Sequence, residues 1–337
     1  MADSNYIPPE IASLMGLVDT FLRWREMQQL GSRSYKHYHP SEWGKCLRKQ
    51  QYMHFRDMGY IECEHAQHSG QTIRTFDKGH NMHHRWQQHY FAEMGILRGY
   101  WRCSNMMCLA FDNEGKFRWD ALKDEQKEMI WKGKRRVYGE NDLLGCFRPD
   151  KCACGSKRFE YGELNVKSEE LNFHGHCDIV LDFQKFDPDK YKGIRKNFNM
   201  AHFPKRPIVI DMKTVGDWAF KNQVMKNGLH KEYKIQINIY THLLDCEYGI
   251  VIYENKSDSV TVPFKIERDE SIFKTVKEQA YMMKALAEKR LLPPPRPLDP
   301  ADYECSKCEF AALCHKSAAW KSPKLAQQRQ EFYKNLL

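Results

Sequence analysis

The chain has 337 residues, with 53 Lys and Arg against 44 Asp and Glu, a formal charge of +9. Hydrophobic residues make up 42% and charged residues 29%, ordinary globular usage that excludes a fibrous or disordered chain. No run approaches the roughly 18 apolar residues of a membrane span, and the start MADSNYIPPEIASLMG lacks the basic-then-apolar layout of a secretory signal. A cytoplasmic chain is therefore expected. At roughly 150 residues per domain, the length predicts two domains or one with a sizeable insertion. The 12 cysteines fall well below the roughly 8–10% of disulfide scaffolds. Clustered in a large intracellular chain, they read as metal ligands.

Taken in order, Ile11, Leu14, Val18 and Leu22 recur on one face and predict a helix packed on the body. Ser41 is placed to cap a second helix bearing Cys46, Arg48 and Tyr52. Residues 71–95 predict another helix, rich in His and aromatics. Between 99 and 160 the texture changes to cysteine pairs, aromatics, Gly and a charged stretch, which predicts an inserted module. From Asn172 the pattern is that of strands: FHGHCDIVLDF, RPIVIDMKTV, GIVIYEN and SVTVPFKI. KEYKIQINIYTHLLDC, between the second and third, reads as a helix. Phe273, Val276, Ala280, Met283 and Ala287 mark one more helix face. The run LLPPPRPLDP is a stiff connector, followed by YECSKCEFAALCHKS and a final polar helix. The expected fold is α/β: a central mixed sheet flanked by helices. Its expected parts are a helical segment 1–98, the module 99–160, a core 161–292 and a terminal segment 293–337.

The strand PIVIDMKTV places Asp211 and Lys213 on one face, because strand side chains alternate. Asp and Lys are rarely buried without partners, yet here they follow Ile208, Val209 and Ile210 directly. Strand FHGHCDIVLDF supplies a second acid, Asp178. Two aspartates brought together repel, and a divalent cation resolves the conflict. A lysine beside that cation can orient a water or stabilise charge on a phosphate.

Gly175-His176-Cys177-Asp178, Asp211-Met212-Lys213 and Gln236-x-x-x-Tyr240, in this order, resemble the signature of RecB-type nucleases of the PD-(D/E)XK superfamily. Upstream, Gly79-x-x-x-His83 resembles that family's helical histidine motif. The resemblance implies a restriction-endonuclease-like core in which His83, Asp178 and Asp211, with the Met212 carbonyl, hold Mg²⁺ or Mn²⁺. It implies a catalytic Lys213, with Gln236 and Tyr240 bonding DNA phosphates or that lysine. One departure is His84, where many relatives carry an acid. His80, His84 and His89 read as helix-surface or core-edge histidines.

Cys305-x2-Cys308-x5-Cys314 offers three thiolates, so a fourth ligand must come from elsewhere, and Cys46 is the candidate. This arrangement resembles the iron–sulfur subgroup of these nucleases, which includes CRISPR adaptation nucleases and AddB-type subunits. It implies a 4Fe–4S cluster clasping the chain ends; spacing alone leaves Zn²⁺ open. Cys103-x4-Cys108 and Cys152-x-Cys154 fit a zinc ribbon, with Cys146 as a substitute in the second pair. Cys63, Cys177 and Cys246 read as packing residues. Near Trp131, KGKRR is either a DNA contact or a solvated loop.

Together these features predict a metal-dependent DNA exonuclease of replication, recombination or repair, with a phage source and a recombination or replication partner protein as its natural setting. The expected substrate is linear DNA with single-stranded character, its bases stacking on Tyr52, Trp86, Tyr90 or Trp101. The alternatives are an endonuclease, a nuclease acting on RNA, and a non-catalytic DNA-binding scaffold that keeps the fold.

Overall fold

The computed structural model describes residues 9–29, 34–63, 67–191, 200–294 and 303–316. They divide into two compact units, one formed by Met1–Met82 with Lys277–Leu337 and the other by His83–Val276. The proline connector beyond 294 and the expected tail helix lie outside the described residues. No helix among the described residues is long and apolar enough to cross a membrane.

The terminal unit contains α1 (Pro9–Gln29) and α2 (Leu47–Asp57). Most of α3 (Gly70–His84) also belongs to it. On α1 Leu22 is buried and Val18 half-buried, while the side chains of Ile11 and Leu14 lie outside the described residues. Ion pairs Arg25–Asp77 (2.8 Å) and Arg74–Asp19 join α1 to α3. Helix α2 buries Leu47, Tyr52, Met53 and Phe55. Its Tyr52 stacks on Phe310, with ring centroids 5.2 Å apart.

The central unit is built on β1 (Leu97–Cys103), β2 (Val137–Tyr138), β3 (Cys146–Phe147), β4 (Phe159–Gly162), β5 (Leu164–Ser168), β6 (Phe173–Cys177), β7 (Ile179–Leu181), β8 (Ile208–Val215), β9 (Tyr248–Asn255) and β10 (Thr261–Glu267). The main sheet runs β10-β9-β8-β7-β1-β2, with β3 and β4 also pairing β1; β5 and β6 form a separate hairpin. The sheet is mixed: β8 and β9 are parallel and the other pairs antiparallel. Edge strand β10 carries Pro263, whose missing N–H is tolerated on an outer edge. Segment 99–160, expected as an inserted module, is continuous with the sheet. It opens within β1, which pairs β7 at one end and β2–β4 along the rest.

Alternation along the strands creates two cores. Ile179, Leu181, Ile208, Ile210 and Met212 pack on one face with Trp101 and Phe91. Val180, Val209, Val251 and Tyr253 pack on the other with Ile237 and Tyr240 of α5, the helix Lys231–Leu243 that crosses from β8 to β9. Among the other helices, α4 (Asp124–Trp131) lies in segment 99–160 and α6 (Glu270–Glu288) follows β10. The short α7 (Tyr303–Ser306) and α8 (Ala311–Lys316) belong to the terminal unit.

Helix α5 sits close to the sheet because β9 offers Gly249 beneath Ile237; any Cβ there would run into the Ile237 side chain. Gly249→Ala should therefore push α5 outward at a cost of about 1–3 kcal/mol. A thermal melt checks this, and an unchanged Tm would show that the contact relaxes freely.

Candidate active site

Strand register assembles the site. Ile179 opposes Ile210 across β7–β8, so one residue further Asp178 comes opposite Asp211. Leu164 opposes Cys177 across β5–β6, so one residue further Glu163 comes opposite Asp178. Three carboxylates thus come together where these strands meet, close enough for their charges to raise one another's carboxyls. Asp178 occupies the bend where the chain leaves the hairpin for the main sheet.

At the C-terminal end of α3, His83 Nδ1 lies 3.6 Å from Asp178 Oδ2. Ligand atoms of His83, Glu163 and Asp178 all lie within 4.8 Å of one another. The histidine helix continues as a π-helical turn, Arg85–Phe91, a feature frequent at functional sites. That turn aims Gln87 inward, where its Nε2 donates to Glu163 Oε1 (3.1 Å) and to the Asp178 carbonyl (2.9 Å). The Tyr161 hydroxyl donates to the same carbonyl at 3.1 Å. Glu254, fully buried on β9, accepts from Trp86 Nε1 at 2.5 Å and pairs with Arg85, which anchors the turn.

Asp211 is 2% exposed. Lys213 Nζ lies 2.8 Å from its Oδ2 and Gln236 Nε2 donates to its Oδ1 at 3.0 Å. Lys213 Nζ also sits 4.6 Å from the centre of the Tyr233 ring. The Met212 N–H donates to Asp178 Oδ2 at 3.1 Å, while its side chain packs in the core. The trio within ligand distance is therefore His83, Glu163 and Asp178, with Asp211 beside it, and Met212 enters through its N–H.

Gln236 and Tyr240, expected to face phosphate or lysine, are buried. Helix α5 covers the sheet, so its Gln–Tyr face points inward: Gln236 bonds Asp211, and the Tyr240 hydroxyl donates to the His176 carbonyl at 2.8 Å. Both position the acidic row. Tyr52 and Trp101 are core residues at 5% and 1% exposure, so neither can stack on a base. Arg135 is committed to Glu160 (2.7 and 3.0 Å), and the Arg136 N–H to Cys108 Sγ, so two of the four basic residues of the KGKRR run serve the fold.

Burial pushes the Asp178 carboxyl above its usual range, and the charge of Glu163 adds to this. Burial likewise raises Glu163. It pushes Asp211 up to about 6 despite the opposing pull of Lys213. Burial alone would lower Lys213; the charges of Asp211 and Asp178 outweigh it and hold the ammonium above lysine's usual value. A raised carboxyl favours the folded protein at low pH, where it is protonated, and that contribution is lost as pH rises through about 6. A cation that binds the ionised row should restore it. The rise in Tm on adding Mn²⁺ is therefore expected to be small at pH 5 and to grow through pH 6–7. A pH-independent increment would contradict this.

A divalent ion fits the row because it balances converging carboxylates; buried Asp211 Oδ2 already has the Lys213 ammonium 2.8 Å away as its ion-pair partner. Lys213 beside that oxygen can direct a proton donor at a water or at a developing oxyanion.

Two thiol groups stand apart from the row. Cys103, Cys152 and Cys154 offer sulfurs within 4.8 Å of one another, with Cys103 Sγ 3.6 Å from Cys154 Sγ. This group can bind a metal ion. Cys108 is buried beside it and accepts the Arg136 N–H at 3.0 Å. Asn105 N–H (3.4 Å) and Tyr138 OH (3.2 Å) point at Cys103 and Cys152. Burial lifts Cys103 to about 12; in Cys152 it is outweighed by hydrogen bonds from Tyr138, Cys154 and Cys103, which lower that thiol. Cys146 is not in the group; it pairs with Gly99 across β1–β3. In the terminal unit, Cys46, Cys305, Cys308 and Cys314 line one cavity of about 290 Å³.

The sequence reading missed Glu163, Gln87 and Glu254. A signal existed for Glu163: Leu164 and Val166 alternate with Asn165 and Lys167 ahead of a turn, mirroring FHGHC.

No family model matches the chain, and no curated protein matches it. Among solved structures it is similar to one described as "Crystal structure of SSO0001", at 12% identity and a TM-score of 0.39, over 89% of this chain and 97% of the other. A likeness at that score carries no argument here.

Proposed function

We propose that the protein is a metal-dependent nuclease of the PD-(D/E)XK type that hydrolyses phosphodiester bonds in DNA, most simply from ends. The observation that carries this is the cross-strand row Glu163–Asp178–Asp211, flanked by His83 and paired with Lys213. Carboxylates with one imidazole suit Mg²⁺ or Mn²⁺, held by His83, Glu163 and Asp178 with Asp211 alongside. Such an ion supplies Lewis acidity and a more acidic bound water. Lys213, fixed by Asp211, orients the attacking water or donates to the phosphoryl oxygen as negative charge builds. Gln236 and Tyr240 keep Asp211 and β6 in place. A scaffold that had lost activity would not need a half-buried lysine paired with a buried aspartate in an acidic row.

For the thiol groups we infer two centres. A zinc ion with four thiolates at about 2.3 Å has sulfur–sulfur edges of about 3.8 Å, near the 3.6 Å between Cys103 and Cys154. Cys103, Cys108, Cys152 and Cys154 are its ligands. Among the described residues, the terminal four cysteines contain no trio within 4.8 Å, and the cavity they line suits a bulkier group. This supports a 4Fe–4S cluster on Cys46, Cys305, Cys308 and Cys314.

Digestion of labelled linear and closed circular DNA with Mn²⁺ tests the activity. Loss of the linear substrate alone identifies an exonuclease, loss of both an endonuclease, and persistence of both refutes the proposal. Anaerobically purified protein is expected to be brown, with about four Fe and one Zn per chain. Colourless protein carrying two Zn would overturn the cluster assignment.

A further inference from the structure

The β5–β6 hairpin carries the acidic row into a second feature. Its buried residues are Leu164 and Val166 on β5, and Phe173, Gly175 and Cys177 on β6. By alternation, Asn165 and Lys167 share the opposite face of β5, and His174 and His176 that of β6, while Glu163 directly precedes β5 and Asp178 directly follows β6. Register places Asn165 directly opposite His176 and Lys167 directly opposite His174. Lys167 and His176 are exposed; Asn165 and His174 are half-buried. The His174 and His176 rings lie 5.8 Å apart.

Moving out from Glu163 and Asp178, the face therefore changes from acidic to a two-rung ladder of nitrogen donors. Successive rungs are two residues apart, about 6.6–6.8 Å along the strands, comparable to the phosphate repeat of an extended nucleic-acid strand. Neither rung contains an acid. Beyond the second, the turn brings Glu169 and Glu170.

We propose that this face of the β5–β6 hairpin is the track for the strand being cut. The Asn165–His176 and Lys167–His174 rungs would grip the two backbone phosphates next to the scissile one. The proposal rests on the nuclease reading of the acidic row and adds to it the direction in which the substrate leaves the site. The occupant is a phosphodiester backbone because the ladder offers point donors and positive charge, with exposed Lys167 outermost.

The test uses full-length Lys213→Ala protein with Mn²⁺, so that substrate is bound without being cut. Binding of a fluorescein-labelled oligothymidylate is followed by anisotropy over a salt series. Adding Lys167→Ala and His176→Ala is expected to weaken binding about tenfold and to reduce the salt slope by about one. Lys265→Ala, on the far edge strand, is the charge control and should leave the slope as it was. In the cutting enzyme, the two ladder substitutions should raise KM far more than they change kcat.

An unchanged affinity and slope overturn the track while leaving the nuclease intact if the wild type still cuts. A reduced slope in a protein that cuts no DNA with any metal refutes the nuclease reading and with it a track for a strand being cut, leaving only a nucleic-acid-binding face.

Discussion

Lys213→Ala is expected to reduce divalent-dependent DNA hydrolysis by about a thousandfold, the scale of losing a pre-oriented charged donor. The lysine is held at 2.8 Å by Asp211, whose other oxygen is held by Gln236, so its ammonium is fixed before substrate arrives. Removing it also frees a buried carboxylate from its cation. The Lys213→Ala protein should therefore bind Mn²⁺ at least as tightly as wild type. Glu163→Gln should do the reverse, weakening Mn²⁺ while Lys213 stays in place, because Glu163 belongs to the trio proposed to hold the ion and Lys213 does not. Titration with Mn²⁺ followed by electron paramagnetic resonance separates the two. Equal Mn²⁺ affinities in the two variants would contradict the division of roles.

Loss of the four-thiol centre is expected to have the largest effect on stability. On the proposed zinc assignment, Cys154→Ser removes one ligand and leaves three buried thiols, and burial alone already resists charging Cys103. Metal and fold are linked in such modules, so a drop in Tm of roughly 10 °C or more is expected for a unit of this size. The consequence reaches the acidic row along the chain. Cys103 ends β1, which pairs with β4, and β4 runs directly into Glu163. Cys154→Ser should therefore also weaken Mn²⁺ binding, although no thiol touches that site. A variant that melts lower but binds Mn²⁺ normally would show that the two centres are independent.

The core of the site was legible in the sequence where one strand carries it alone. Ile208–Val215 announces a buried strand, and Asp211 and Lys213 fall on one face by alternation. His83 and Asp178 could be named from motif order, but Glu163 needs the hairpin register, a pairing between residues separated by a turn. Gln87 was hidden for a different reason: the π-helical turn at Arg85–Phe91 rotates it inward, and no 3.6-residue periodicity reports that. The Gln236–Tyr240 face was correct as a face, but its direction depends on which side of the sheet α5 covers. Aromatic identity likewise says nothing about depth, so Tyr52 and Trp101 read as possible stacking surfaces and proved to be core. The basic run Lys132–Arg136 shows the same limit, because two of its arginines are spent on Glu160 and on the cysteine module.

The most direct test of the central claim is a time course of end-labelled linear DNA incubated with wild-type protein and Mn²⁺, beside parallel reactions containing excess EDTA, Asp178→Asn or Lys213→Ala. The account predicts short products from the wild type alone, and none in the other three. Full-length DNA persisting in every reaction, or digestion that proceeds equally well with Lys213→Ala, would contradict it.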